Sequence, residues 1–158
     1  MYCILIVAVI LLGLAEGQDH YPPVAYGEAC ISQGFSSSHT AVDIASYGKK
    51  RVNLHAIWDG TVTSVCNGAG DFDKSRCGDC GNSVDIRHNT VSLRYCHLTA
   101  NTLTVSPGQR VSRAQKIGVM GTSGLSTGVH LHVIVTELNN GQRRDIRTRL
   151  GLNGWRSC

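Results

Sequence analysis

Short stretches in which apolar and polar residues alternate dominate the chain from residue 42 onward. The alternation is plainest in Thr61–Val65, Ser83–Arg87 and Val91–Tyr95, and an apolar, β-branched stretch follows at Val129–Leu138. A period of two is the spacing of side chains on a β-strand with one buried face. The short polar segment 88–90 between two of these stretches predicts a β-hairpin.

The pattern and the composition together predict the fold class. No stretch keeps a helical period over three turns, and 18 glycines against 3 prolines favour many tight turns. The length of 158 residues favours one domain, and 42% hydrophobic with 16% charged residues is the balance of a packed globule. We therefore expect a mainly β protein, with a single antiparallel β-sheet domain and few or short helices.

The first 17 residues have the features of a secretory signal peptide. Ile4–Leu14 is apolar, and Ala15-Glu16-Gly17 places small residues where cleavage requires them. A buried strand or a short anchor is the alternative, although the apolar run is shorter than the ~18 residues of a membrane span. We expect a secreted, extracellular protein made of a signal peptide (1–17), an N-terminal arm without periodicity (18–35) and one domain (36–158).

Cysteine number agrees with export. Removal of the signal peptide leaves an even set of six cysteines, namely Cys30, Cys66, Cys77, Cys80, Cys96 and Cys158. In a secreted domain such a set predicts three disulfides, and spacing alone leaves the pairing open. Zinc or redox chemistry at Cys77-Gly-Asp-Cys80 is less favoured, since no second ligand pair at matching spacing is present.

The charge balance points to anionic partners. The 15 Lys and Arg residues against 10 remaining Asp and Glu give the mature chain a net charge of +5. The basic segments 49–51 and 143–149 either coat solvated faces or bind anionic cell-wall polymers. Nucleic acid is not expected as a partner, because no aromatic residues are interleaved with the basic ones.

Four histidines and one aspartate carry the candidate chemistry. His130 and His132 lie two apart on a predicted strand, so both imidazoles project from one face. His39 and Asp43 add an imidazole and a carboxylate four residues apart. Two histidines and a carboxylate can bind zinc and leave the fourth tetrahedral position to water. The alternatives are a polar sheet face and a local hydrogen-bonded pair.

His97 ends the second strand of the predicted hairpin. It is in phase with Val91, Leu93 and Tyr95, which is typical of a histidine in a hydrophobic core. If the sheet brings it beside His130, it becomes a candidate general base.

Three motifs in order resemble the lysostaphin-type zinc endopeptidases of family M23. They are His39-x-x-x-Asp43, Tyr95-Cys96-His97-Leu98 and the segment 121–132, which ends in His130-Leu131-His132. The resemblance extends over residues 36–151. It implies an antiparallel sheet with a groove that holds one zinc ion, and peptide cross-links of bacterial peptidoglycan as the substrate. Carried over by motif, His39, Asp43 and His132 are the metal ligands, and His97 and His130 are the catalytic histidines.

Three functional hypotheses follow. The first is a secreted zinc metalloendopeptidase with a lytic, antibacterial role against cell walls. The second is a non-enzymatic binding or signalling protein that retains the zinc site, similar to the leukocyte cell-derived chemotaxin 2 group, which lacks a histidine at the position of His97. The third, a D-alanyl-D-alanine metallopeptidase of another zinc class, is disfavoured because the chain lacks that class's longer His-to-Asp spacing and its Glu-x-x-His element. The scissile bond and the oligomeric state stay open.

Overall fold

The computed structural model describes residues 20–150 and 155–158, so the predicted signal peptide (1–17) lies outside the described residues. Ten strands, a 3₁₀ helix at Tyr47–Lys49 and one short α-helix are present in the described ranges. They are β1 Ala29–Gln33, β2 Val42–Ser46, β3 Asn53–His55, β4 Gly60–Cys66, β5 Asn82–Arg87, β6 Val91–Leu98, β7 Arg110–Val111, β8 Lys116–Val119, β9 His130–Glu137, β10 Arg143–Arg144 and α1 Ile146–Leu150. The prediction of a mainly β fold is confirmed.

One antiparallel sheet organises the molecule. Its strand order is β1-β2-β9-β6-β5-β4-β7, β10 also pairs with β9, and β3 and β8 form a separate two-stranded ribbon. The four stretches that the alternation predicts are β4, β5, β6 and β9, and β5 and β6 form the expected hairpin. None of the helices among the described residues has the length and apolar character that crossing a bilayer requires.

The two faces of the sheet differ in chemistry. Along β9, Leu131, Val133 and Val135 are buried in the core, whereas the residues between them are only half-buried. Apolar residues of the β3–β8 ribbon, such as Leu54 and Ile117, belong to the same core cluster. The opposite face, which we call the open face, therefore carries every second residue of β9, starting with His130.

The segment predicted as an arm contributes a strand to this sheet. β1 pairs with β2, and its residues Cys30 and Ile31 are buried. A disulfide joins Cys30 to Cys158, and the backbone N–H of Ile31 donates to the carbonyl of Arg156. The sequence of β1 shows no alternation of apolar and polar residues, so its pairing depends on contacts with distant parts of the chain.

The six cysteines form three disulfides, as their even number predicts. Besides Cys30–Cys158, the pairs are Cys66–Cys77 and Cys80–Cys96. The last two hold the long loop 67–81 against the ends of β4 and β6.

Candidate metal centre

The register of β2 on β9 brings candidate ligands together. Asp43 lies directly opposite His132, and Ala45 lies opposite His130. Residues paired in this way project from the same face of a sheet with their Cβ atoms about 5 Å apart. Asp43, His130 and His132 therefore share the open face, although 87 residues separate Asp43 from His130 in the chain.

His39 reaches the same place from the loop before β2. Its backbone forms a tight turn with Ser36, and its Nδ1 lies 3.0 Å from the carbonyl oxygen of Gly34. A carbonyl can only accept a hydrogen bond, so Nδ1 carries the proton and Nε2 carries the lone pair. That Nε2 lies 3.4 Å from Oδ2 of Asp43.

His39, Asp43 and His132 form a group with the geometry of a metal site. Nδ1 of His132 lies 2.7 Å from Oδ1 of Asp43, and the three candidate ligand atoms all lie within 4.8 Å of one another. Two neutral imidazoles and one carboxylate fit a divalent ion that keeps a coordination position open. The hydrogen bond from His39 to Gly34 is the kind of support that orients a metal-binding imidazole.

The environment of Asp43 keeps its carboxyl ionised. Its side chain is largely buried, and burial by itself would raise its pKa. The hydrogen bond with His132 and the charges of His130, His132 and His39 outweigh that effect, so the pKa of Asp43 lies below its usual value. An ionised carboxylate is the form that binds a metal.

His97 joins the site because β6 contains a bulge. On β5 two steps lead from Val84 to Asn82, whereas the partners on β6, Tyr95 and Leu98, are three residues apart. One extra residue in a strand changes the direction of the side chain that follows. His97 adopts a φ of 66°, a left-handed conformation that is uncommon for a residue with a side chain. As a result its ring lies 4.8 Å from that of His130, between centroids, on the open face.

His97 and His130 are held in one tautomer. Nδ1 of His97 lies 2.7 Å from the carbonyl oxygen of Ser123, and Nδ1 of His130 lies 2.8 Å from that of Gly128. Each Nδ1 therefore carries a proton, and each Nε2 is free to accept one. Burial, reinforced by the neighbouring His130, lowers the pKa of His97 to about 4, so this ring is neutral near pH 7.

The structure offers a second group of possible ligands, which consists of His97, His130 and His132. The group that contains Asp43 fits a divalent cation better, because its carboxylate offsets part of the ion's charge. It also leaves His97 and His130 outside the ligand set, with Nε2 of His130 3.8 Å from Oδ2 of Asp43. The two groups share His132.

Buried polar groups support His97 from behind. The Ser123 hydroxyl donates to the carbonyl of Leu98 and accepts from the backbone N–H of Asn82. The backbone N–H of His97 donates to the carbonyl of Cys80, and a disulfide joins Cys80 to Cys96. These contacts join the bulge, the loop 67–81 and the segment 121–128 into one support for the imidazole.

The site lies in a groove of about 600 Å³ on the open face. Besides the five predicted residues, its lining includes Gln33, Cys77, Asp79, Cys80, Arg94, Cys96, Leu125, Thr127 and Ile134. Sequence reasoning did not single out Arg94 and Asp79. The sequence offers one signal for Arg94. It lies two residues before Cys96 on a predicted strand, so the two side chains share a face.

The other three histidines do not line this groove. The ring of His55 packs against Tyr21, and that of His88 packs against Trp58. Nδ1 of His88 bonds to the carbonyl of Asp59. His20 is half-buried near the start of the described chain.

Similar proteins were found by sequence. The peptidoglycan DD-endopeptidase ShyA of Vibrio cholerae is 51% identical over 53 residues, which is 33% of this chain and 12% of that protein. The DD-carboxypeptidase/endopeptidase Mpg of Neisseria meningitidis is 38% identical over 95 residues, which is 60% of this chain and 19% of that protein. This chain thus spans less than a fifth of the length of these relatives.

Solved structures agree on the fold. A zinc-containing peptidase from Vibrio cholerae superposes with a TM-score of 0.60 and 27% identity, covering 78% of this chain and 37% of that one. The catalytic domain of lysostaphin from Staphylococcus simulans superposes with a TM-score of 0.56 and 24% identity, covering 80% of this chain and 90% of that one.

The family profile spans the whole site. It is the profile named Peptidase family M23, and it matches residues 37–146, which include all five histidine and aspartate positions of the centre and every strand from β2 to β10. Because this match covers most of its length, the chain belongs to peptidase family M23.

Proposed function

We propose that this protein is a zinc metalloendopeptidase that hydrolyses the peptide cross-links of bacterial peptidoglycan. The observation that carries the proposal is the convergence of His39, Asp43 and His132 in an open groove, beside two imidazoles with free Nε2 atoms. The similarity to the peptidoglycan DD-endopeptidase ShyA and the DD-carboxypeptidase/endopeptidase Mpg supports the choice of substrate.

In this proposal His39, Asp43 and His132 hold one zinc ion. When bound, the ion supplies Lewis acidity, which polarises a peptide carbonyl and makes water a stronger nucleophile. Nδ1 of His132 and Oδ1 of Asp43 lie 2.7 Å apart, which supports their binding of one ion once Nδ1 has released the proton of their hydrogen bond. Pairing across β2 and β9 makes the centre rigid, and rigid ligands favour metal binding.

His97 and His130 act as the acid–base pair. Each Nδ1 is bonded to a backbone carbonyl, so each ring presents Nε2 as its reactive atom. A neutral imidazole takes a proton from water as the bond to the peptide carbon forms. The same Nε2, once protonated, donates to the oxyanion or to the leaving amine, which stabilises the transition state. The low pKa of His97 keeps its ring neutral at pH 7, so the lone pair of its Nε2 is available.

Export and an antibacterial, lytic role belong to the same proposal. Three disulfides suit an oxidising compartment, and peptidoglycan is reached from outside the cytoplasm. The net positive charge suits binding to anionic cell-wall polymers. A binding or signalling protein that keeps the metal for structure is less favoured, because that role needs neither free Nε2 atom.

The experiment is digestion of purified peptidoglycan from several wall types, with mass spectrometry of the released fragments. We expect new amine and carboxyl ends with the zinc-loaded protein. His97→Ala is the matched control, and it should keep zinc but lose at least about 100-fold in turnover. Asp43→Ala and His132→Ala should lose the metal itself, which elemental analysis measures. Intact walls with zinc bound and the fold retained would overturn the proposal.

A further inference from the structure

Arg94 lies in the groove beside the metal centre. On β6 it precedes Cys96 by two residues, and it pairs with Ile134, just as Cys96 pairs with His132. Arg94 and His132 are thus diagonal neighbours on the open face, a relation that puts such residues about 7–8 Å apart. Both line the same groove.

An ion pair fixes the Arg94 side chain. Its Nε lies 2.7 Å from Oδ1 of Asp85, and its Nη2 lies 2.7 Å from Oδ2. The Asp85 side chain is only 13% exposed, whereas that of Arg94 is 49% exposed, so the carboxylate lies beneath the guanidinium. Two of the five N–H groups serve this pair. The two Nη1 hydrogens and the second Nη2 hydrogen lie on the other edges of the guanidinium, which the ion pair orients before a ligand binds.

The next rows of the open face add positive charge. One step beyond Arg94, Ser92 pairs with Arg87, which in turn shares its partner Thr61 with Arg110. Arg87 and Arg110 are both exposed. Asp79 is the acidic residue that lines the groove on the side of the loop 67–81. Asp85 balances Arg94 within its own row, so the two exposed arginines of the next row give this side of the open face its net positive charge, which favours anionic groups there.

We propose that Arg94 determines specificity by binding a carboxylate of the substrate close to the scissile bond. This inference rests on the proposed function. A guanidinium edge and a carboxylate form two parallel, charge-assisted hydrogen bonds, a geometry that an amide or a glycine cannot supply. An extended peptide advances about 3.3 Å per residue, so the carboxylate belongs to a residue within about two positions of the cleaved bond. The substrate class is an acidic stem peptide that carries a free carboxylate, rather than a neutral glycine bridge.

The test compares two synthetic cross-linked peptides that differ in one group, a free carboxylate or a carboxamide next to the scissile bond. We expect kcat/KM of the wild-type protein to favour the carboxylate on the order of 10-fold to 100-fold. In Arg94→Gln that ratio should fall to within about twofold of one. Arg94→Lys, which keeps the charge and can still pair with Asp85, should retain only part of the preference. Arg87→Gln removes an exposed arginine one row farther from the centre, whose charge is largely screened by salt, and should change the ratio by no more than about twofold.

A binding measurement separates this inference from the proposed function. Calorimetry with the zinc-loaded His97→Ala protein gives the affinity for both uncleaved peptides, with and without Arg94→Gln. If the protein binds the carboxylate peptide more tightly and this preference depends on Arg94, the inference is supported. That holds even if the wild-type protein cleaves neither peptide, a result that would overturn only the proposed function. Equal affinity for both peptides, or a preference that survives Arg94→Gln, overturns the role of Arg94.

Discussion

Asn82 joins the long disulfide-bonded loop to the strand that carries His97. Its side chain is fully buried. Oδ1 accepts from the backbone N–H of Ala69, and Nδ2 donates to the carbonyls of Ala69 and Leu98, at 2.8, 2.8 and 2.9 Å. Replacement by leucine keeps the branching and the number of heavy atoms of the side chain, although its methyl groups are larger than the amide oxygen and nitrogen, and it removes all three hydrogen bonds.

The cost of Asn82→Leu follows from the groups that lose their partners. Ala69 is itself fully buried. Its N–H and its carbonyl therefore lose their hydrogen bonds to Asn82 at a place where water cannot replace them. The carbonyl of Leu98 still accepts from the hydroxyl of Ser123, at 2.8 Å. Each buried backbone group without a partner costs about 1–3 kcal/mol, so the free energy of unfolding should fall by about 2–6 kcal/mol. That is a large part of the 5–15 kcal/mol typical of a domain.

Urea denaturation of the metal-free protein, with all disulfides intact, measures this change. Asn139→Leu is the matched control at an exposed site after β9, and it should change the free energy of unfolding by less than about 0.5 kcal/mol. If Asn82→Leu costs less than about 1 kcal/mol, the buried amide does not hold the loop and the reasoning fails. The metal content of the variant should equal that of the wild type, because Asn82 contacts none of the ligands.

The remaining predictions concern the disulfide beside the site and the response to acid. Replacing both Cys80 and Cys96 by serine opens a loop of 16 residues and should lower the free energy of unfolding by about 3 kcal/mol. Activity should fall more than zinc content does. Full activity in that variant would show that the disulfide does not support His97. Burial lowers the pKa of His88, so as the pH falls below about 6.5 the unfolded chain takes up a proton that the folded state resists, and stability is lost. His88→Asn can keep a donor for the carbonyl of Asp59 but cannot titrate. Urea denaturation of the metal-free variant between pH 7 and 4.5 should therefore show a weaker dependence of the free energy of unfolding on pH. An unchanged dependence would exclude His88 as a source of the acid sensitivity.

Local patterns were sufficient for four of the eight strands of the sheet. Side chains alternate in β4, β5, β6 and β9 because each strand has one buried and one open face, and that property is written into every short segment. The pairing of His130 with His132 on one face follows from the same period. Family membership could be inferred because its motifs are short and keep their order along the chain.

Long-range contacts decided what the pattern could not show. β1 has no alternation, and it forms only where β2 and the end of the chain meet it. The pairing of the cysteines likewise depends on which ends of strands come together. No pattern in the sequence places Arg94 beside the candidate metal centre, since that position comes from the register of β6 on β9.

His97 shows the division most clearly. By the period of its strand it belongs with Val91, Leu93 and Tyr95 in the core, on the face opposite His130 and His132. The chain alone therefore determined that an imidazole stands at the end of β6 and that its motif resembles a catalytic one. The tertiary structure decided that it faces the site, because a one-residue bulge opposite Asn82, a left-handed backbone and a hydrogen bond to Ser123 turn the ring to the open face. Those three features depend on residues far apart in the chain, so no local pattern contains them.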